Sequence, residues 1–499
     1  DGEYKLMGLA PYGKPKYVAL INEQLITFND DKSFFLNMKF FNYEKGLTMT
    51  NDHFHNLFNG PPRKEDSIIS QKYMDIACSI QIVIEALILN LAKYALEITQ
   101  EKSLCMAGGV ALNCVANGKI LKDKILEGFW IQPAANDSGG SLGAALATFY
   151  LHKKNIRVYS DKDMMKSCFL GPSYSQEESI NILENFNAVY SILKDDEDLA
   201  EKASSLINQN KIIGWFQGRS EFGPRALGNR SIIGNAYDPK LQKALNLKIK
   251  FRESFRPFAP AVLEEDMPRV FESIVKSPYM LLVDTIKAVH LKGSKNEKHQ
   301  GLKRLEHITS KFPAVTHVND TARIQSISSE NNPLLYKLLI KIKQEKLFGI
   351  VVNTSFNVRN EPIVNSPLDA YKCFMNTEMD YLFVGKIFLE KSKQPKLKQC
   401  DSCFTVSILS KKELIIFWLK FYLIILIIFN ITLPFFGLDR LYSSFLFGLA
   451  PLLLVFLSQK ISQDFTIQTK LYLNYLQKSQ NFILLAFFYF CILFPYSIF

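Results

Sequence analysis

Along residues 70–100, apolar side chains recur at three- and four-residue intervals, which predicts one long helix with a buried stripe. A short apolar run, Ser103–Met106, predicts a strand that meets the glycine pair Gly108-Gly109. Helical spacing resumes from Asn113 to about Lys124, followed by a strand-like segment at Phe129–Gln132. A loop of Pro, Asn, Asp, Ser and Gly then leads into an Ala-rich helix from Leu142 to about Leu151. Strand, glycine loop and helix, twice within about 50 residues, are the grammar of an α/β sheet covered by helices. Residues 155–200 carry weaker periodicity and read as a connection. A second α/β unit opens with a helix at Leu199–Asn208, an apolar strand at Lys211–Phe216 and a glycine-bearing loop, and its signals run to about residue 391. Residues 290–310 are charged and read as a solvated loop, and no repeat of 20–50 residues is present.

The pattern changes after a Lys-, Gln- and Ser-rich linker at 393–412. Three apolar stretches follow, at about 414–436, 441–457 and 482–499, each long enough to cross roughly 30 Å of hydrocarbon. Lysines crowd the segment before the first stretch and the loop between the second and third, so the positive-inside rule places the part before the linker in the cytoplasm, tied to the inner membrane. The net charge of +11 is spread along the chain with no arginine-rich arm, a poor footprint for nucleic acid. Eight scattered cysteines fit a reduced chain better than a disulfide framework, and Cys400 and Cys403 form a single CxxC without a second ligand pair. The first residues, DGEYKLMGLAPYGK, read as the middle of a domain, so an N-terminal truncation without a secretory signal is expected.

Five motifs are able to carry chemistry. In MAGGVALNCVANGKI (106–120), glycines after a strand let the backbone approach a phosphate or nucleoside at a helix N-terminus; tight strand–helix packing is the competing explanation. In PAANDSGGSLGAALA (133–147), Asp137 can ligate a hard metal bridging phosphates, or simply cap the Ala-rich helix. GRSEFGPRALGNRSI (218–232) packs Arg219, Arg225 and Arg230 with one glutamate into 15 residues, and KFRESFRPFAP (250–260) adds Lys250, Arg252 and Arg256. Arginine forks bind phosphate or carboxylate oxygens in pairs, so these runs predict a converging anion pocket. VVNTSFNVRNEPIV (351–364) ends a strand in Asn353-Thr354-Ser355, which suits an oxygen-rich ligand or a plain turn. PAVTHVNDTARIQSI (313–327) places His317, Thr321, Arg323 and Gln325 around a strand.

These motifs, with EYKLMGLAPYGKP at the start, occur in an order that closely resembles the nodulation-type O-carbamoyltransferases, a family that includes antibiotic carbamoyltransferases of the tobramycin and cephamycin pathways. The resemblance covers about 1–392. It implies an α/β fold with part of an actin-like ATPase-type domain, similar to the threonylcarbamoyl transferase of tRNA modification, at 1–165, and a YrdC-like domain at 166–392, with the membrane segment at 413–499. It also implies that carbamoyl phosphate and ATP give carbamoyl adenylate in the YrdC-like site. The first domain then passes the carbamoyl group to the hydroxyl of a sugar or natural-product acceptor. On this resemblance, Arg219, Arg225, Arg230, Lys250, Arg252, Arg256 and Arg323 serve the polyanions, while Asn353 and Ser355 contact the adenylate. Gly108, Gly109, Asn113, Gly139 and Gly140 hold a nucleotide, and Asp137 binds a divalent metal, iron or magnesium.

The family's histidine metal ligands lie upstream of EYKLMGLAPYG, and His53 and His55 stand in a segment that does not ligate, so a fragment with an incomplete transfer site is expected. The tail resembles the small SxtJ-like membrane proteins, and a homodimer is compatible with the family. Two alternatives stand beside this expectation: a membrane-tethered non-catalytic nucleotide-binding subunit, which the arginine loops oppose, and a tRNA threonylcarbamoyl-type transferase, which the missing basic footprint opposes.

Overall fold

Both strand–glycine–helix units form as expected in the computed structural model of the protein, which describes residues 2–395 apart from 30–31, 65–66, 161–162, 274 and 293–299. Most of the expected linker and all three C-terminal apolar stretches lie outside the described residues. The N-terminal part begins with helices α1 (Glu3–Leu9) and α2 (Val18–Gln24), an antiparallel hairpin of β1 (Ile26–Phe28) and β2 (Phe34–Leu36), and α3 (Asp52–Leu57). Next comes α4 (Gln71–Thr99), closed by Gln100 in the left-handed conformation. By length and composition α4 is the one helix among the described residues able to cross a membrane. Its stripe is used for a protein core instead: Val83 packs with Ile21 and Leu25 of the α2 region, while Ile88 and Ala92 pack with Ala116 and Ile120. Those partners belong to α5 (Cys114–Lys122), which links β3 (Ser103–Met106) to β4 (Gly128–Ile131) in a parallel pair. Helix α6 (Gly139–Ala147) follows and runs on as a wider turn to His152.

The stretch expected as a plain connection holds two elements, α7 (Gln176–Glu184) and β5 (Tyr190–Ile192). Ser175 and Glu178 form a capping box that starts α7 despite its weak apolar pattern, and β5 is an edge strand of only three residues. Then come α8 (Asp196–Asn208), β6 (Ile213–Phe216), β7 (Arg230–Asn235), the short α9 (Leu241–Ala244), β8 (Ala259–Leu263) and the short α10 (Met267–Val270). The chain continues through β9 (Leu282–Thr285), β10 (Thr321–Ile327), α11 (Pro333–Glu345), β11 (Ile350–Ser355), α12 (Pro367–Met375), β12 (Tyr381–Val384) and β13 (Ile387–Glu390).

Nine of these strands form one mixed sheet in the order β5-β13-β12-β6-β7-β11-β8-β10-β9, parallel only at β12–β6 and β8–β10. The central strands are buried on both faces, which explains their unbroken apolar runs. Trp215, Ile233, Val351 and Phe383 point to the side covered by Leu199 and Ile207 of α8 and Leu335 and Leu339 of α11. Their neighbours Phe216, Ile232, Val352 and Leu382 point to the opposite side, with Tyr371 and Phe374 of α12.

The edge of this sheet carries the N-terminal part. Asn117 of α5 donates through Nδ2 to the Leu281 carbonyl at 3.0 Å and to the Ala111 carbonyl at 2.8 Å. At Gly118 a Cβ would stand 2.5 Å from the Val283 carbonyl oxygen of β9, so the close approach of helix and strand requires glycine there. Tyr12 donates its hydroxyl to the Phe255 carbonyl at 3.1 Å, and Arg304 donates to the carbonyls of Pro11, at 2.8 Å, and Val318. Gly118→Ala should therefore lower the unfolding free energy by about 1–3 kcal/mol through overpacking, although alanine is the better helix former by about 1 kcal/mol; a denaturant titration reads the sign.

Candidate active site

The arginine-rich loop between β6 and β7 is held from within by a side chain that the motif hides among its cations. Glu221 Oε1 accepts from the backbone N–H groups of Leu227, Asn229 and Arg230 at 2.7, 2.9 and 3.2 Å. From beneath, Gln325 of β10 donates to the Leu227 carbonyl at 2.8 Å. Asn353 of β11 donates to Gln325 Oε1 at 2.7 Å and to the Ala226 carbonyl at 3.3 Å. Asn353, expected at a ligand, is thus buried beneath the loop and holds its shape.

Arg230 is fully buried, with its guanidinium 3.6 Å from the Phe216 ring centroid and its donors directed at the carbonyls of Gln217, Gly218, Asn229 and Pro172. Burial pushes its pKa down to about 10. It fixes the loop base rather than reaching out for an anion. Arg219 is exposed and donates to the Leu170 carbonyl at 2.8 Å.

The remaining cations converge. Burial, and then repulsion from Arg323, push Arg225 down; burial, and then repulsion from Arg256 and Arg323, do the same to Arg252. Lys250 is lowered well below the ordinary lysine range by burial and by Arg252. Arg225, Arg252, Arg256 and Arg323 come from three separate segments, the loop after β6, the loop before β8 and strand β10, so only the folded sheet collects them. Glu253, 3.7 Å from Arg256, is the carboxylate paired to this group. Arg225 Nε is buried with no protein acceptor. Guanidinium groups stay charged at neutral pH, so their crowding is a standing electrostatic cost that a bound polyanion relieves.

The N-terminal part supplies walls to this cluster. The Tyr4 ring of α1 lies 4.8 Å from the Arg256 guanidinium, and Cys114, the first residue of α5, interacts electrostatically with Arg225. Arg252 is aligned by Asn246, which accepts from its Nε at 2.7 Å, and by the Phe258 ring at 4.8 Å.

Lys250 is committed to the turn after β11. Its Nζ donates to the Asn357 carbonyl at 2.9 Å, Asn357 Oδ1 at 2.8 Å, Ser355 Oγ at 3.2 Å and the Ser355 carbonyl. Ser355 donates to Asn357 Oδ1 at 2.7 Å. Asn357 also lines a cleft of about 430 Å³ with Ser220, Glu221, Pro224, Arg230 and Glu361. Asn357, which Lys250 binds, and Pro224, the residue before Arg225, both line this cleft.

In the N-terminal part, Gly108 (φ +92°) and Gly109 are exposed in an open loop. Asn113 Oδ1 caps α5 by accepting from Ala116 N–H at 3.1 Å, and its amide pairs with Gln81 of α4. Gly139 and Gly140 open α6, and Asp137 is exposed in the turn before it. Among the described residues no three His, Cys, Asp or Glu side chains gather as a metal shell, around Asp137 or elsewhere. His55 pairs with Asp52 and Thr50 on and beside α3.

Residues 1–146 match the family model described as carbamoyltransferase N-terminus, and residues 204–391 match that described as carbamoyltransferase C-terminus. The chain belongs to the carbamoyltransferase family. It is 48% identical over 403 residues to the uncharacterized protein sll1178 of Synechocystis, covering 80% of this chain and 65% of that one. With the nodulation protein NolO of Bradyrhizobium diazoefficiens it shares 32% identity over 392 residues, 78% of this chain and 66% of the relative. The 3'-hydroxymethylcephem-O-carbamoyltransferase of Streptomyces clavuligerus is 29% identical over 293 residues, 58% of this chain and 49% of that enzyme. The chain thus spans less than two thirds of the length of these curated relatives.

Glu221 and Tyr4 have site or supporting roles that the sequence did not assign, while Gln325 and Asn357 stood in the candidate motifs without a specific role. Glu221 was legible as the lone acid in an arginine loop; Tyr4 had no signal, because its partner Arg256 lies 252 positions away. Two outcomes follow from the geometry. Pyrophosphate should raise the melting temperature of the protein, and Arg323→Ala should weaken that binding at least tenfold, read by calorimetry. Burial pushes His317 down to about 4, with Nε2 3.3 Å from the Gly8 carbonyl. The unfolded chain then binds the extra proton first, so stability should fall by about 2–3 kcal/mol as pH drops from about 6.5 towards 4, and His317→Phe should flatten that slope.

Proposed function

We propose that the chain is the adenylate-forming and carbamoyl-transferring part of an ATP-dependent O-carbamoyltransferase. The observation that carries this reading is the electrostatic coupling of Arg323 to both Arg225 and Arg252, and of Arg252 to Arg256, with Glu253 paired to Arg256 at 3.7 Å. Such a cluster takes a polyanion, and carbamoyl phosphate with the phosphates of ATP supply several charges. The adjoining cleft, lined by Glu221, Arg230, Asn357 and Glu361, offers oxygen acceptors to hydroxyl or amino donors, which suits the nucleoside end of the same nucleotide. Carbamoyl phosphate, ATP and one water would give carbamoyl adenylate, pyrophosphate and inorganic phosphate. The carbamoyl group then passes to an acceptor hydroxyl as AMP leaves.

The protein's own contribution is positional and electrostatic. The guanidinium groups neutralise the approaching phosphates, and the loop held by Glu221, Gln325 and Asn353 keeps Arg225 in place before the substrates arrive. We read residues 166–392 as a YrdC-like domain and 1–165 as part of an actin-like transfer domain, on the order of their motifs and the strand–glycine–helix pairs around β3 and β4. Gly108, Gly109 and Asn113 would hold the adenylate in that transfer domain, with the acceptor a sugar or natural product. A divalent metal would serve there with Asp137 as one ligand. The apolar stretches after residue 413 would keep the enzyme at the inner face of a membrane.

The test is release of pyrophosphate by the full chain with ATP and carbamoyl phosphate. Release that requires both substrates, and a fall of about 10²–10³ in kcat/KM for Arg225→Ala, is the expected outcome. A folded protein that binds ATP and releases nothing would overturn the reading.

A further inference from the structure

The segment that joins the two parts of the chain reaches the large sheet through a backbone conformation that side chains rarely adopt. Lys166, Ser167 and Cys168, none of them glycine, stand in the left-handed region at φ +47°, +57° and +65°. Crowding at Cβ makes each of these residues prefer the right-handed region, so the turn persists only where its surroundings fix it. Asp163 supplies the fixing contacts. Its Oδ1 accepts from the Met165 N–H at 3.0 Å, and its Oδ2 accepts from the Ser167 N–H at 3.0 Å and from the Tyr279 hydroxyl. Tyr279 is buried just before β9, with its ring centroid 5.9 Å from that of Trp130 in β4. Met165 and Cys168 are buried in the main core.

The residues that follow the turn clamp the arginine loop. The Cys168 carbonyl accepts from the Phe222 N–H at 2.7 Å, and the Pro172 carbonyl accepts from the Ser220 N–H at 2.9 Å. Gly171 donates its own N–H to the Ser220 carbonyl at 2.9 Å. A Cβ on Gly171 would stand 2.0 Å from Ser220 Oγ, so the two segments are in direct contact. Both neighbours of Glu221 are thereby pinned, and Glu221 is the residue that gathers the N–H groups of Leu227, Asn229 and Arg230. Cys168 stands near both carboxylates: burial pushes its thiol up to about 12, and the charges of Asp163 and Glu221 push the same way. We propose that Asp163 is a positioning residue for the arginine loop. With Tyr279 it holds the turn at 166–168 in its left-handed form, the turn fixes Glu221, and Glu221 fixes the loop that carries Arg225. Its effect on an anion is transmitted by order in the loop rather than by contact. As a role in the reaction this rests on the reading of that loop as the anion site, and the experiment keeps the two apart.

The test compares Asp163→Ala, Tyr279→Phe, the two together, and Asp163→Ala with Ser167→Gly, all in the full chain. Hydrogen exchange at 220–229 is read against exchange in β6 and β11. Asp163→Ala should speed exchange at 220–229 about tenfold, leave the two strands within about twofold, and weaken pyrophosphate binding about tenfold. Ser167→Gly should restore both readouts in that background, because glycine takes the left-handed conformation without a side chain to crowd it. An aspartate that merely stabilised the fold would not be rescued in this way. Tyr279→Phe should loosen the same segment to a smaller degree. Added to Asp163→Ala it should change little further, since its hydroxyl has already lost that partner. If Asp163→Ala does not fold, Tyr279→Phe and its rescue by Ser167→Gly carry the same test. Unchanged exchange at 220–229, equal acceleration in β6 and β11, or no rescue by Ser167→Gly overturns the proposal. A wild-type chain that binds no pyrophosphate, with 220–229 still loosened by Asp163→Ala, overturns the anion reading and supports the positional role.

Discussion

Like charges crowded at a half-buried place define this protein. Arg323 repels Arg225 and Arg252, and Arg256 repels Arg252. They stay because the backbone around them is fixed by other means: Glu221 under the loop, Asn246 beside Arg252, and the sheet beneath Arg323. The surrounding fold therefore carries the electrostatic cost of the cluster in the free protein and releases it when an anion binds. Preorganisation of this kind is what a site for phosphate chemistry needs, since the charges are already placed where charge develops.

The same logic separates the cations into two classes. Arg230 turns its two terminal nitrogens to backbone carbonyls and Lys250 donates to Ser355 and Asn357, so both shape the walls, although Arg230 keeps a buried Nε without a protein partner just as Arg225 does. Arg225, Arg252, Arg256 and Arg323 form the electrostatically coupled group. Composition cannot make that distinction, because both classes sit in the same short motifs.

The two halves of the described chain are joined where the site is. Tyr4 beside Arg256, Cys114 beside Arg225, and the Tyr12–Phe255 and His317–Gly8 hydrogen bonds all lie along one junction. Asn117 and Gly118 press α5 onto β9 with no room for another atom.

Local pattern determined much of this molecule. The period of α4, the strands at 103–106, 213–216 and 350–355, and the density of arginines near 219–256 follow from side-chain chemistry over short spans, and the ordered motifs mark the family. The helix and strand within 155–200 escaped because a capping box and an edge pairing, not apolar periodicity, create them. Only the tertiary structure decided which arginines face one another, because the spacing from 225 to 323 along the chain says nothing about distance across a sheet. It also placed Asn353 beneath the loop rather than at a ligand, since a residue at a strand end can point either way and burial settles which.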